Sequence, residues 1–252
     1  MKTIRIPKKN GSFRLIYVPS RDRKQRLRAL LPELNEWQQA ICDPAIVHAF
    51  YPGHSAITNA MAHIGYAYSL SFDLSDFFDT ITADKVDRLS SLLSHEIRHM
   101  VVVDGAARQG LPTSPAIANI VAASMDKVIQ AFLHTLPAPV VYTRYADDLT
   151  FSYSSYAITP LLVAHIPTIV TAQGFMINPH KTQLQFASKG RRMICGIALD
   201  DDGIHATRAS KRHLRAAEHH AKTEKDDKKR KVYHQKANGL KEWTKLKAPR
   251  TT

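Results

Sequence analysis

Apolar and polar positions alternate over Tyr66-Ala-Tyr-Ser-Leu-Ser-Phe72, which predicts a strand that delivers Asp73 at its end. A second alternating stretch, Val140–Tyr153, reads as a hairpin of VVYTRY and LTFSY with Ala146-Asp147-Asp148 at its tip. Near the start, Ile4-Arg5-Ile6 and Phe13–Val18 flank the turn-forming Lys9-Asn10-Gly11-Ser12, predicting another hairpin over 3–18. Helical spacing places Leu27, Leu30, Leu31, Leu34 and Trp37 on one face of 22–41, and Pro32 predicts a kink or break inside it. A short helix is expected over 54–64. Thr82 is expected to cap a helix carrying Val86, Leu89, Leu92 and Leu93.

Ser114-Pro115 reads as a cap and first-turn proline, opening a helix with Ile117, Ile120, Val121, Met125, Val128, Ile129 and Phe132. Residues 159–173 read as helix and 192–199 as one strand. From Thr207 the chain is helix-forming, with a break expected near Asn238-Gly239. Hairpins lie beside helices without a strict strand–helix alternation, so the class is α+β.

Composition narrows the classes. The chain has 252 residues, 44% apolar and 23% charged, enough for a sizeable core. Its two cysteines, Cys42 and Cys195, make neither a disulfide framework nor a cysteine zinc cluster, which fits a cytoplasmic protein. MKTIRIPKKN lacks the apolar run of a signal peptide, and no apolar stretch is read as approaching the ~20 residues of a membrane helix. No membrane partner is expected.

Charge is distributed unevenly. The net is +13, yet residues 1–28 hold ten Lys/Arg against one acid and 205–252 hold fifteen against five, while 29–204 hold ten against sixteen. Two basic arms flank an acidic centre. Basic arms suit a polyanion, because each neutralised phosphate releases a counterion. They also suit plain solvated helices, as does the Lys/Asp run at 222–231.

If the strands ending at Asp73 and at Asp147-Asp148 are neighbours, three carboxylates meet at one sheet edge. Such a cluster favours Mg²⁺, which takes oxygen ligands and keeps substrate phosphates in its shell. Two such ions about 3.5–4 Å apart serve phosphoryl displacement. An Asp-Asp pair alone in a turn is more often only a polar turn.

Several segments resemble one family in their order along the chain. Tyr145-Ala146-Asp147-Asp148 resembles the YxDD motif of reverse transcriptases, and Ser71–Phe78 (SFDLSDFF) resembles their first palm motif. Gln109–Pro115 (QGLPTSP), followed by Ala118-Asn119, resembles a motif of the bacterial branch. The hairpin IPKKNGSFRLIYVPS, the NAMAH of Asn59–His63, Asn178-Pro-His-Lys181 and RRMICGIAL match further pieces. NAxxH between fingers and palm points to the retron type. Retron enzymes usually carry VTG where this chain has Ile194-Cys195-Gly196. Defence-associated, diversity-generating and intron-like relatives share most of these motifs.

The resemblance implies an RNA-directed DNA polymerase with a right-hand fold. Fingers would span 1–65 and part of 85–112, a palm with an antiparallel sheet and helices 66–204, and a small basic helical thumb 205–252. It implies Asp73, Asp147 and Asp148 as catalytic acids, holding two Mg²⁺ (or Mn²⁺) ions with the Leu74 carbonyl. Lys9, Arg14, Phe78, Gln109, Gly110 and Lys181 would bind the dNTP. Phe78 would exclude a ribose 2′-hydroxyl, with Phe77 in the core, and Lys181 would protonate the leaving pyrophosphate. Tyr145, Arg215, Lys229 and Arg230 would meet the template–primer. Asn59 and His63, one helical turn apart, would touch RNA or form a structural pair. Implied partners are template RNA, an RNA–DNA duplex, dNTPs, a retron non-coding RNA and an effector protein, and the implied setting is antiphage defence.

Two other readings stay open. The arms would equally serve an RNA-binding scaffold with a vestigial polymerase site. His95-Glu96-Ile97-Arg98-His99 is an HExxH, which on a helix would let two imidazoles share a zinc with Glu96 as base. Arg98 within it, and the lack of a nameable third ligand, count against a metalloprotease.

Overall fold

The computed structural model describes residues 1–7, 11 and 13–244. β1 (Lys2–Pro7) and β2 (Phe13–Val18) form an antiparallel ribbon closed by Pro7 opposite Phe13. The 22–41 pattern breaks into α1 (Arg21–Ala29) and α2 (Leu31–Ile41), with Pro32 in the first turn of α2, where its missing N–H is not needed. A capping box of Ser55 and Thr58 starts α3 (Ala56–Met61). β3 (Tyr68–Asp73) follows.

The next two helices are short, α4 (Ala83–Asp87) and α5 (His95–Val101). The longer helix expected after Thr82 does not form: Thr82 makes no side-chain cap, and Leu89, Leu92 and Leu93 lie in turns. α6 (Ser114–Leu133) begins one residue earlier than read, with Thr113 at the cap, because the Ser114 hydroxyl donates instead to Arg108 O at 2.7 Å. β4 (Val141–Tyr145) and β5 (Asp148–Tyr153) form the second hairpin, followed by α7 (Ile158–Ala172) and β6 (Gln183–Phe186).

The segment read as one strand over 192–199 is two, β7 (Arg192–Ile194) and β8 (Ile197–Asp200), with β9 (Gly203–His205) after them. Cys195 and Gly196 turn the chain with φ of 48° and 77°, both left-handed as a tight hairpin requires. In the basic region, α8 (Arg208–Thr223) and α9 (Asp227–Thr244) part at 224–226 rather than at Asn238-Gly239. Asp226 Oδ1 accepts from Lys228 N and Lys229 N, which starts α9, whereas a helix-interior glycine costs only about 1 kcal/mol.

The larger sheet has strand order β4-β5-β3-β6, and each neighbouring pair is antiparallel. Leu70 and Phe72 of β3, with Leu149, Phe151 and Tyr153 of β5, belong to one large apolar core with Ile117, Met125 and Ile129 of α6 and Leu162 and Ile166 of α7. The other sheet face is polar: Ser69 pairs with Ser152, Ser71 with Thr150 and Asp73 with Asp148. β7-β8-β9 form a separate sheet whose Ile194, Ile197, Leu199 and Ile204 pack with Ala60 of α3. Contrary to the sequence reading, α6 is 20 residues long and apolar enough to cross a membrane by length and composition, but most of it is buried in the protein as a core helix.

A buried ion pair sits inside this core. Arg144 of β4 is fully buried and bonds Asp126 of α6 through Nε (2.9 and 3.0 Å) and Nη2 (2.8 Å), while Nη1 donates to Asn119 Oδ1 at 2.9 Å. Tyr142 OH donates to Asp126 Oδ1 at 2.7 Å. Removing one partner of a buried pair strands the other charge, so Asp126→Ala should lower stability by about 3–5 kcal/mol in urea unfolding. A loss below about 1 kcal/mol, the size typical of exposed pairs, would mean that Arg144 is neutralised elsewhere.

Candidate active site

Sheet register builds the acidic cluster. Asp73 ends β3 directly opposite Asp148, the first residue of β5, and Leu74 N donates to Asp147 O at 2.8 Å. Tyr145 pairs with Asp148, so Ala146 (φ 58°) and Asp147 make the turn. Asp73 is buried at 7% exposure, and Asp147 and Asp148 are half-buried. Burial, then the charges of Asp147 and Asp73, push the Asp148 carboxyl up to about 6. Asp147 is also raised, chiefly by burial, and Arg14 of β2 is among the cations that oppose the rise.

A cation already stands at this edge. Lys181 Nζ lies 2.8 Å from both carboxylate oxygens of Asp73, and that contact leads the causes that raise its pKa. Lys181 closes a single 3₁₀ turn, Pro179–Lys181, capped by the Asn178 side chain; Asn178 N donates to Asp73 O at 2.7 Å. The donors at the edge are all oxygens, which suits a hard divalent cation. Among the described residues no three His, Cys, Asp or Glu side chains are already arranged around a metal position. The Asp73 carboxylate is turned to the ammonium instead.

Arg14 is exposed on β2, and Lys9 lies outside the described residues. Phe78 is half-buried, its ring 6.3 Å from Phe50 and 5.6 Å from Phe77, while Phe77 is buried against Phe175 as expected. Gln109 O accepts from Tyr17 N at 2.8 Å, and a Cβ on Gly110 (φ 106°) would lie 2.3 Å from Tyr17 O. Glycine there lets β2 lie on the 109–110 loop. Tyr145 is half-buried beside the acids, whereas Arg215 and Lys229 are exposed on α8 and α9; Arg230 is exposed but ion-paired with Asp227.

Asn59 and His63 are a correction to the RNA-contact reading, because both are fully buried. The His63 ring nitrogens bond Ser152 Oγ (2.9 Å) and Thr143 Oγ1 (2.7 Å), one on each strand of the acidic hairpin. Asn59 Nδ2 donates to Cys195 Sγ at 3.2 Å, at the β7–β8 turn. Arg192, missed in the sequence, joins them: fully buried, it donates to Ser69 Oγ (2.8 Å) and His63 O (2.9 Å). Its only signal was an arginine in an otherwise apolar strand. Thus α3 and the turn that follows it fasten the β7–β8 turn to the hairpin that carries the acids.

The HExxH does lie on a helix, α5, with His95 Nε2 and His99 Nε2 3.1 Å apart. Both are exposed, Arg98 pairs with Asp87, and no third ligand joins them among the described residues. The pair does not assemble a zinc-protease site.

The sequence profile of the family described as "Reverse transcriptase (RNA-dependent DNA polymerase)" matches residues 6–231. The chain is 33% identical over 258 residues to the Retron Mx162 reverse transcriptase of Myxococcus xanthus, covering 86% of this chain and 52% of that protein. It is 30% identical over 218 residues to the Retron Ec86 reverse transcriptase of Escherichia coli, covering 82% and 65%. The chain therefore spans about half to two thirds of the length of these relatives. A solved telomerase from Candida albicans, in complex with a fragment of telomeric RNA, superposes with a TM-score of 0.59 at 16% identity, over 85% of this chain and 48% of that one. A foamy viral protease-reverse transcriptase with double-stranded DNA gives 0.53 at 16%, over 96% and 36%. At such identities the likeness is one of fold, an α+β polymerase palm.

The buried network sets a pH dependence. Burial lowers the His63 pKa to about 3, whereas an unfolded histidine titrates near ~6.5. Between those values the unfolded chain binds a proton that the folded one refuses, so stability falls as pH drops through that window. Melting temperature should fall from about pH 7 to about pH 5, and less steeply in His63→Gln. Parallel slopes would remove His63 as the coupled group.

Proposed function

Since the chain belongs to the reverse transcriptase (RNA-dependent DNA polymerase) family, we propose that it is an RNA-directed DNA polymerase of retron type, copying a structured non-coding RNA into DNA. One observation carries the reading: Asp73 and Asp148, far apart in sequence, are register partners beside Asp147 and a lysine. Residues 1–65 with part of 85–112 act as fingers, 66–204 as palm and 205–252 as thumb.

Asp73, Asp147 and Asp148, with the Leu74 carbonyl, would hold two Mg²⁺ ions. When bound, these ions activate the primer hydroxyl and neutralise charge on the leaving pyrophosphate. Lys181, ion-paired with Asp73, would be the residue that donates a proton to the leaving pyrophosphate. Arg14 and Lys9 grip the triphosphate, since a guanidinium fork matches phosphate oxygens. Phe78 meets the sugar edge, Gln109 and Gly110 lie under base and sugar, and Tyr145 supports the primer end.

Arg215, Lys229 and Arg230 hold the RNA–DNA duplex through phosphates, so binding weakens as salt rises. Base pairing supplies sequence choice, and no base-reading side chain is needed. The proposed setting is the cytoplasm, with a retron non-coding RNA and an effector protein as partners in antiphage defence.

The test is primer extension on an RNA template with Mg²⁺ and dNTPs. Asp147→Asn should abolish extension, and a fully active variant would overturn the site. Phe78→Val should admit ribonucleotides that the parent rejects. Unchanged selectivity would leave Phe78 as a packing residue only.

A further inference from the structure

Phe50 is an apolar ring with 53% of its surface exposed, and its backbone is left-handed, with φ 56°. Residues with a side chain seldom adopt that conformation, and they keep it only where the surroundings enforce it. Here they do. Arg144 N donates to Ile46 O at 2.7 Å, and His48 N donates to Arg144 O at 3.0 Å. Asn119 Nδ2 donates to Ala49 O and Gln38 Nε2 to Phe50 O, each at 2.9 Å, from side chains that are fully buried. Four hydrogen bonds over five residues fix the direction in which the ring leaves the chain.

That direction is toward Phe78. The two ring centroids are 6.3 Å apart at 55°, yet Phe78 covers less than half of Phe50. A ring whose task was to shield Phe78 would be buried by it; this one keeps an open face. An aromatic face held rigidly beside a site is a stacking surface for a nucleobase, tolerant of which base arrives because every base has a π-face.

We propose that Phe50 is a second aromatic wall of the nucleotide site, stacking on the base of the incoming dNTP while Phe78 meets its sugar. The proposal rests on the polymerase reading above. It makes Phe50 a substrate-binding residue, acting on dNTP binding rather than on the acids.

The experiment compares the full chain with Phe50→Gly, Phe50→Leu and Phe50→Trp in primer extension on an RNA template, alongside melting curves and template–primer binding. Glycine relieves the left-handed backbone, so Phe50→Gly should melt no lower than the parent yet show a dNTP KM raised about tenfold, with kcat little changed. Leucine keeps apolar bulk without a ring face and should share the KM defect; tryptophan should restore it. An unchanged KM in the glycine and leucine variants overturns the proposal, and so does weaker template–primer binding at unchanged KM, which would make Phe50 a template contact. Absence of extension by the parent itself would sink the polymerase reading, and the proposal with it.

Discussion

Arg144 carries a full positive charge with no exposed surface, and the groups that neutralise and hold it come from distant parts of the chain. Asp126 and Asn119 reach it from α6, and its backbone pairs with Ile46 and His48. A buried guanidinium without such partners would be prohibitively desolvated, so these segments can come together only in one arrangement. The turn at Ala146-Asp147 begins two residues beyond this anchor. Position at the acidic edge is thereby set from inside the core, as is the 46–50 segment that presents Phe50.

The edge itself is electrostatically unfavourable. Three carboxylates meet where β3 ends and β5 begins, and burial with the neighbouring charges of Asp147 and Asp73 has already raised Asp148 to about 6. Lys181 relieves part of this by closing on Asp73, and a divalent cation would relieve more. The cluster is therefore tolerated by the fold. Behind the acids, His63, Ser69, Ser152, Thr143 and Arg192 form a buried polar network in which each hydroxyl bonds at least one partner. That network ties the small β7–β9 sheet to the hairpin, a role that polar residues can fill only when their partners are already in place.

Much of this was legible in the residues, and the failures have physical reasons. Alternation found β3 and the β4–β5 hairpin, because their two faces meet such different surroundings, and Pro32 marked the α1–α2 break. The β7–β8 turn was missed because Cys195, not a turn former, takes the left-handed position ahead of Gly196. The Asn238-Gly239 break was overcalled, because propensity is a weak prior where a helix end is set by a cap such as Asp226. Spacing put Asn59 and His63 on one helix face but could not reveal what covers that face. Asn59 meets the β7–β8 turn and His63 the β4–β5 hairpin, and both are fully buried.

The two metal motifs in the chain differ in what it takes to make them. His95 and His99 meet because they are four residues apart on a helix, a geometry that any HxxxH on a helix achieves and that brings no third ligand with it. Asp73 and Asp148 meet only if the whole β3–β5 ladder is in register. A slip of one residue would turn Leu70 and Phe72 out of the core and Ser69 away from Ser152. The pairing of the acids is thus enforced by apolar burial on one sheet face and by the His63 network on the other. A site that two independent constraints specify is far less accidental than one that follows from helical periodicity alone, and this difference, rather than the letters of either motif, favours the carboxylates as the seat of the chemistry.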